Sequence, residues 1–270
     1  MSGRLDLATE LTDLPERRTS FAWLDHEYVQ GWGIFALPFD SGHVLALRVF
    51  PQNDFAAYRT VWHRTPDGSW SIFVDGPRLD TACPHYYWPA CTVVAKARVD
   101  VRWTGPTSLR VTMDEPALDW TLEVTATRLL RALNVVSRRM PLWTWKRPPF
   151  VRARELIAQQ LLGMGAVRMR GAMPSGHVGS LMPERMYVID QAEATLDGED
   201  LGRPARATQP PDIGGATLPA WGILAVGQAA WQIFDPAEYQ RTRAETGSST
   251  RSRNPAAATT AGDGGDGVTQ

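Results

Sequence analysis

The chain has 270 residues, 43% of them hydrophobic and 9% aromatic, enough to bury the core of one large β domain. Its formal net charge of -1 excludes any global pull toward nucleic acid or anionic membrane, so a charged partner must be met by a local patch. Residues 1–18 hold no apolar export core, no apolar run is long enough to span a bilayer, and the two cysteines make no disulfide framework; the expected setting is cytoplasmic, with reduced thiols. The basic residues are almost all arginine, Lys96 and Lys146 being the only lysines. This reads first as coding bias and second as a preference for bidentate anion contacts.

Residues 1–20 read as an N-terminal arm whose apolar contacts are Leu5, Leu7, Leu11 and Leu14. From Phe21 the pattern becomes strand-like and opens a first antiparallel β half, 21–127. Strands are expected at 33–38 and 44–50 around Asp40-Ser41-Gly42, and at 58–64 and 70–75 around Thr65-Pro66-Asp67-Gly68-Ser69, where Pro presets φ and Gly accepts a positive one. Alternation is clearest at 93–103, where Val93, Ala95, Ala97, Val99, Val101 and Trp103 alternate with charged residues. It resumes through Leu109, Val111 and Met113, then Leu118, Trp120, Leu122 and Val124. Three strands with short connections predict an antiparallel meander.

Residues 128–165 switch to helical spacing, first through Leu129, Leu133 and Val136, then through Ala153, Ile157 and Leu161, with prolines between. This two-helix insert is strongly basic: Arg128, Arg131, Arg138, Arg139, Lys146, Arg147, Arg152 and Arg154 stand against Glu155 alone. A second β half, 166–238, is expected to carry strands at 166–171, 185–190 and 193–196, and a final pair at 222–226 and 230–234. Residues 239–270 have little to bury and read as a disordered tail. The expected fold is mainly β, an antiparallel lipocalin-like barrel or sandwich with the two-helix segment inserted.

Chemistry concentrates between Asp75 and Cys91. His85 beside Asp80 or Asp75 suits an acid/base pair, the carboxylate orienting the imidazole. The plainer alternative is a connection whose aromatics plug one end of a barrel. Cys83, His85 and Cys91 offer three metal ligands, yet no Cys-x-x-Cys knuckle and no fourth ligand, so no metal is expected. Cys83 as a nucleophile is weighed against ordinary buried packing, which is preferred. Asp25 and Glu27 alternate with His26 ahead of a strand and read as solvated charges. Strand parity turns Trp62 inward and leaves His63 at the surface. Gly163-Met-Gly-Ala and Gly214-Gly-Ala lack the strand and helix a phosphate loop needs, and no Gly-x-Ser-x-Gly elbow is present.

The insert places Leu142, Trp143 and Trp145 among its arginines. Basic groups interleaved with Trp suit an element resting on anionic headgroups, peripheral at the inner membrane face, or a lid over a pocket for an anionic ligand. Arg stems lying over Trp rings on a solvated hairpin would look the same. The basic run is too short for nucleic acid.

The run Trp-His-Arg-Thr-Pro-Asp-Gly-x-Trp-Ser-Ile-x-Val-Asp-Gly-Pro at 62–77, with Leu-Asp-Gly-x-Asp-Leu-Gly at 196–202, resembles an uncharacterised family of high-GC bacteria. More loosely, the aromatic β halves over 21–236 resemble the lipocalin-like carotenoid 1,2-hydratases and related terpenoid or polyketide cyclases. That likeness rests on texture, and no catalytic residue is carried over from it. It implies an aromatic-lined cavity for an extended apolar molecule, isoprenoid- or polyketide-like, with no organic cofactor. As an enzyme it would run proton-initiated hydration, cyclisation or isomerisation, with Asp75 or Asp80 as acid, His85 as partner, and Trp62, Tyr86, Tyr87, Trp88, Trp103 and Trp120 lining the cavity. The competing reading is a non-catalytic membrane-associated or partner-binding protein that uses Trp143, Trp145, Arg138 and Arg139.

Overall fold

Alternation along a strand gives each strand two faces; in this protein the strands 26–38, 44–53, 58–64, 70–75 and 223–232 are largely buried on both, while the meander 99–125 alternates buried positions with wetter ones. The computed structural model describes residues 5–12, 14, 23 and 25–252; Phe21 and residues 253–270, expected as a strand start and part of a disordered tail, lie outside them. A short helix α1 (Leu7–Thr12) precedes β1 (His26–Pro38), β2 (Val44–Asn53), β3 (Tyr58–Arg64), β4 (Trp70–Asp75), the one-turn helix α2 (Pro84–Tyr87), β5 (Val93–Lys96), β6 (Val99–Trp103), β7 (Ser108–Met113) and β8 (Leu118–Thr125). The insert follows as α3 (Arg128–Arg139) and α4 (Pro148–Leu156), the latter continued by a π turn, Ile157–Leu161. Then come β9 (Arg170–Ala172), β10 (Val178–Leu196), β11 (Glu199–Asp200), β12 (Asp212–Ile213), β13 (Ala216–Thr217), β14 (Ile223–Gln232) and α5 (Pro236–Ser252).

The fold is mainly β: ten strands in the order β5-β4-β3-β2-β1-β14-β10-β8-β7-β6 make one curled, mostly antiparallel half-barrel, with β9 and β11 added to β10. The two sequence halves share this sheet, because β14 pairs with β1 on one side and β10 on the other. The hairpins at 58–64 and 70–75 match their expected bounds. Several expectations change. The strand expected at 166–171 is confined to the three-residue β9. The run 93–103 is two strands, since β5 pairs in parallel with β4 while β6 pairs with β7, and residues 97–98 carry the chain from one edge of the sheet to the other. The predicted strands 185–190 and 193–196 are parts of the single 19-residue β10, bent by register shifts at Pro183/Arg185 and Ile189/Gln191. The predicted pair 222–226 and 230–234 is one strand, β14. Gly227 does not turn the chain there: it passes the first β10 irregularity so closely that a Cβ would lie 2.3 Å from the Met182 carbonyl oxygen.

The inner face of the curl gathers residues from both ends of the strand order, among them Leu47, Val61, Leu109, Trp120 and Leu224. Side chains from opposing walls meet: Trp32 on β1 and Trp103 on β6 have ring centroids 5.6 Å apart. The outer face is covered in two patches. One is β1 to β4 under α2 and the 212–218 hairpin; the other is β10 and β14 under the helical insert. The expected tail begins as α5, whose Tyr239 is buried against Phe55 at 5.7 Å between ring centroids.

Trp120 is fully buried on the inner face and its indole N–H has no hydrogen-bond partner. Trp120→Ala should therefore lower unfolding stability by about 3–5 kcal/mol, from lost transfer energy plus a cavity. Trp120→Phe should cost less than half of that, since no indole hydrogen bond is lost. Urea unfolding midpoints of the two variants check the ratio.

Candidate functional site

The chemistry-bearing side chains lie on the outer face of the sheet, beneath the loops that cover it. Pro84 starts α2, and Ser175 N–H donates to the Tyr86 carbonyl at 3.1 Å, docking the turn at 173–177 on this helix. Gly176, at φ 89°, makes that turn accessible only to a residue without a Cβ penalty. Two loops thereby meet over the strand ends bearing Glu27 and Trp231, which are direct cross-strand partners.

There Glu27, expected as a solvated charge, is buried at 5% exposure. Tyr86 donates its hydroxyl to Glu27 Oε2 and stacks on Trp231 with centroids 4.0 Å apart. His85 Nε2 stands 3.5 Å from Glu27 Oε1, longer than a hydrogen bond, and is buried with no hydrogen-bond partner. His177 is hydrogen-bonded through Nδ1 to Ser175 Oγ at 2.8 Å, and its ring centre is 5.0 Å from that of His85. Burial and the neighbouring His85 hold His177 below the usual imidazole range. Neither Glu27 nor His177 was singled out from sequence for this site. They sit 150 residues apart, and only the β1–β14 pairing and the 173–177 turn bring them together.

The expected acid/base pairs do not assemble. Asp80 forms a two-point ion pair with Arg78 at 2.8 and 2.5 Å, which holds its carboxyl below the usual range, and Asp75 lies 3.8 Å from Arg59 and accepts from Val99 N–H. The carboxylate facing His85 is Glu27. α2 starts between Cys83 and His85. Cys83 Sγ is buried, 3.6 Å from both Tyr58 Oη and Thr60 Oγ1, and burial pushes its thiol up. Cys91, weighed with Cys83 and His85 as a metal ligand, contacts the Tyr87 carbonyl and is pushed up to about 11 by burial.

The six expected cavity residues divide between the faces. Trp103 and Trp120 belong to the inner core; Trp62, Tyr86 and Tyr87 lie on the outer face, and Trp88 is 63% exposed. Beside Trp62 sits Arg48, 5% exposed and with no carboxylate partner among the described residues. Register shifts between Ile34 and Ala36 leave carbonyls out of the β1 ladder, and Arg48 donates to those of Ile34 and Phe35 as well as to its neighbour Leu47. Its guanidinium lies 4.4 Å from the Phe35 ring centre and 4.7 Å from that of Trp62. A cavity of about 50 Å³ opens next to it, bordered by Phe50, Cys83, Tyr87 and Leu218.

The insert presents the third feature. Its predicted apolar stripes are split between sheet and solvent: α3 buries Leu130 and Asn134, half-buries Leu133 and leaves Leu129 and Val136 exposed, while the second helix buries Val151 and Ala158, half-buries Ile157 and leaves Leu161 exposed. Asn134 explains the choice on α3, since its amide bonds both the N–H and the carbonyl of Met186 on β10. Trp145 is buried under Arg154, 3.9 Å from the ring centre, whereas Trp143 is exposed and meets Phe150 edge-on at 5.5 Å. Arg138 and Arg139 are exposed. Glu155, the insert's one acid, is occupied by Met169 N–H. Between the helices and β10 lies an apolar slot of about 90 Å³ in which Arg154 Nε and Nη1 are buried and unpartnered.

Among the described residues no helix is long and apolar enough to cross a membrane. No protein-family model, no curated protein and no solved structure matches this chain.

His63, expected at the surface, is buried beside the inner core, stacked on His43 and bonded ring to ring, Nδ1 of His43 to Nε2 of His63, at 2.8 Å. Burial, and then His43, push its pKa down to about 4. The unfolded chain thus takes up a proton below about pH 6.5 that the folded state refuses until about pH 4. Stability from this group is complete above pH 6.5 and declines as pH falls through that window. His63→Gln should show a shallower loss of unfolding midpoint than wild type over the same range; parallel curves would refute the assignment.

Proposed function

We propose that this is a peripheral membrane-binding protein that rests on an anionic bilayer surface through residues 128–161. One observation carries the reading: of the eleven exposed large hydrophobic residues among those described, eight lie between Leu129 and Leu161. Single exposed hydrophobics are ordinary, but a cluster on one insert marks a contact surface. The segment around them supplies the complementary charge, with Arg128, Arg138, Arg139, Lys146, Arg147 and Arg152 all exposed. Basic residues near an anionic leaflet contribute about 1 kcal/mol each, and Trp143 and Phe150 are suited to the headgroup boundary. A headgroup oxygen reaching the slot would also satisfy the two idle nitrogens of Arg154. Sedimentation with phosphatidylglycerol-rich vesicles should capture the protein at low salt and release it at high salt, while pure phosphatidylcholine vesicles capture little. Trp143→Ala with Phe150→Ala should weaken partitioning about tenfold. Equal binding to both vesicle types, or no binding, would refute it.

A second reading keeps the apolar small molecule but seats it on the outer face. Arg48 supports it: a buried guanidinium that spends three donors on carbonyls retains two for an anion, with an apolar space alongside. About 50 Å³ suits a carboxylate on a short apolar stem better than an extended polyene. Short-chain carboxylates should then raise the melting temperature, and Arg48→Met should abolish the response while costing about 3 kcal/mol, as three carbonyls lose their donor. A wild-type protein indifferent to such ligands would end this reading.

A further inference from the structure

We infer that Glu27, His85 and His177 form a binding site for a single first-row divalent transition-metal ion. The site is separate from the insert and from the Arg48 cavity, and it does not depend on either proposal above.

Each of the three residues offers one ligand atom, and these atoms lie within 4.8 Å of one another. Ligands about 2.1 Å from a tetrahedral ion stand about 3.4 Å apart, so the donors need to close by at most about 1.4 Å. The shift required of His85 is small, because its Nε2 already faces Glu27 Oε1 at 3.5 Å. Two imidazoles and a carboxylate are the donor set of zinc and of non-haem iron, and a hard ion such as magnesium or calcium would choose oxygen ligands instead.

The surroundings fix each donor in a way that leaves one atom for the ion. The Tyr86 hydroxyl occupies Glu27 Oε2, which leaves Oε1 as the coordinating oxygen. Ser175 Oγ occupies His177 Nδ1 at 2.8 Å and leaves Nε2. His85 Nε2 is buried with no hydrogen-bond partner, an expensive arrangement for a ring nitrogen unless something else binds it. Outer partners that orient the first ligands are the usual accompaniment of a metal site. Phe55 and Phe234 pack on the two imidazoles, with ring centroids 6.2 Å from His85 and 4.5 Å from His177 respectively. His85 and His177 remain half-exposed, which gives an ion a way in and leaves room for an exchangeable water.

The alternative soft-ligand set is not assembled, since Cys83 points to Tyr58 and Thr60 and Cys91 to the Tyr87 carbonyl.

The test uses untagged full-length protein, dialysed against chelator and titrated with Co²⁺ and Zn²⁺ by calorimetry and visible absorption. One equivalent of Co²⁺ with ligand-field bands is expected, displaced by Zn²⁺. His177→Ala, on a surface turn, and His85→Ala should each weaken binding at least about 100-fold, and Ser175→Ala about tenfold. Glu27→Gln should do the same, but Glu27 is buried in β1 and that variant can fail to fold, so the histidine variants decide. Circular dichroism identical to wild type accompanies each measurement. Folded wild-type protein that binds no ion saturably, or histidine variants that bind as wild type does, would overturn the assignment.

Discussion

The pairing of β1 with β14, in register from His26 opposite Gln232 to Ile34 opposite Leu224 and covered on both faces, is the constraint on which the rest of the structure depends. A strand that is wet on one side can carry polar residues at every second position without cost. Here nearly all of β1 and β14 is buried, so each polar group on or beside them needs an internal partner. The Arg48 guanidinium answers the carbonyls released by the β1 irregularity, and Tyr86 answers Glu27. Sequestering a charge in this way is expensive unless hydrogen bonds surround it, and Arg48 has carbonyls and two aromatic rings in place of water.

That double cover also divides the molecule by role. The inner face is a packed apolar interior in which rings from facing walls touch, and its contribution is stability. The outer face is covered by loops and helices, which admit small voids and convergent polar groups where they meet the sheet. Arg48, the Glu27 cluster and the Arg154 slot all sit at such junctions. Functional chemistry placed on loops over a rigid sheet follows the common division between scaffold and site.

The insert shows how one strong local contact can turn an amphipathic helix. Leu129, Val135, Val136 and Met140 keep the outer side of α3 apolar, yet Asn134 points at the sheet beside Leu130 and the half-buried Leu133, since its amide replaces two ladder hydrogen bonds for Met186. Two backbone partners, left unpaired in a buried place, would cost about 1–3 kcal/mol each, which offsets the burial of one or two aliphatic side chains. Those outer apolar side chains are left facing solvent, and with them the surface character of residues 128–161.

Much of this was legible in the residues alone. The dominance of β structure, the hairpins around Asp40-Ser41-Gly42 and Pro66-Asp67-Gly68, and the basic, Trp-bearing insert follow from alternation, turn chemistry and composition, which act over a few neighbouring residues. Local signals misjudged β14, because Gly227 looks like a turn when nothing shows that the β10 backbone passes there. They misjudged Glu27 and His63 for the same reason: strand parity says which residues share a face, not what covers it. Which faces are covered, how Glu27 comes to stand beside His85 and His177, and which stripe of α3 meets water are settled by contacts between segments far apart in the chain, and such contacts leave no local pattern for a sequence to display.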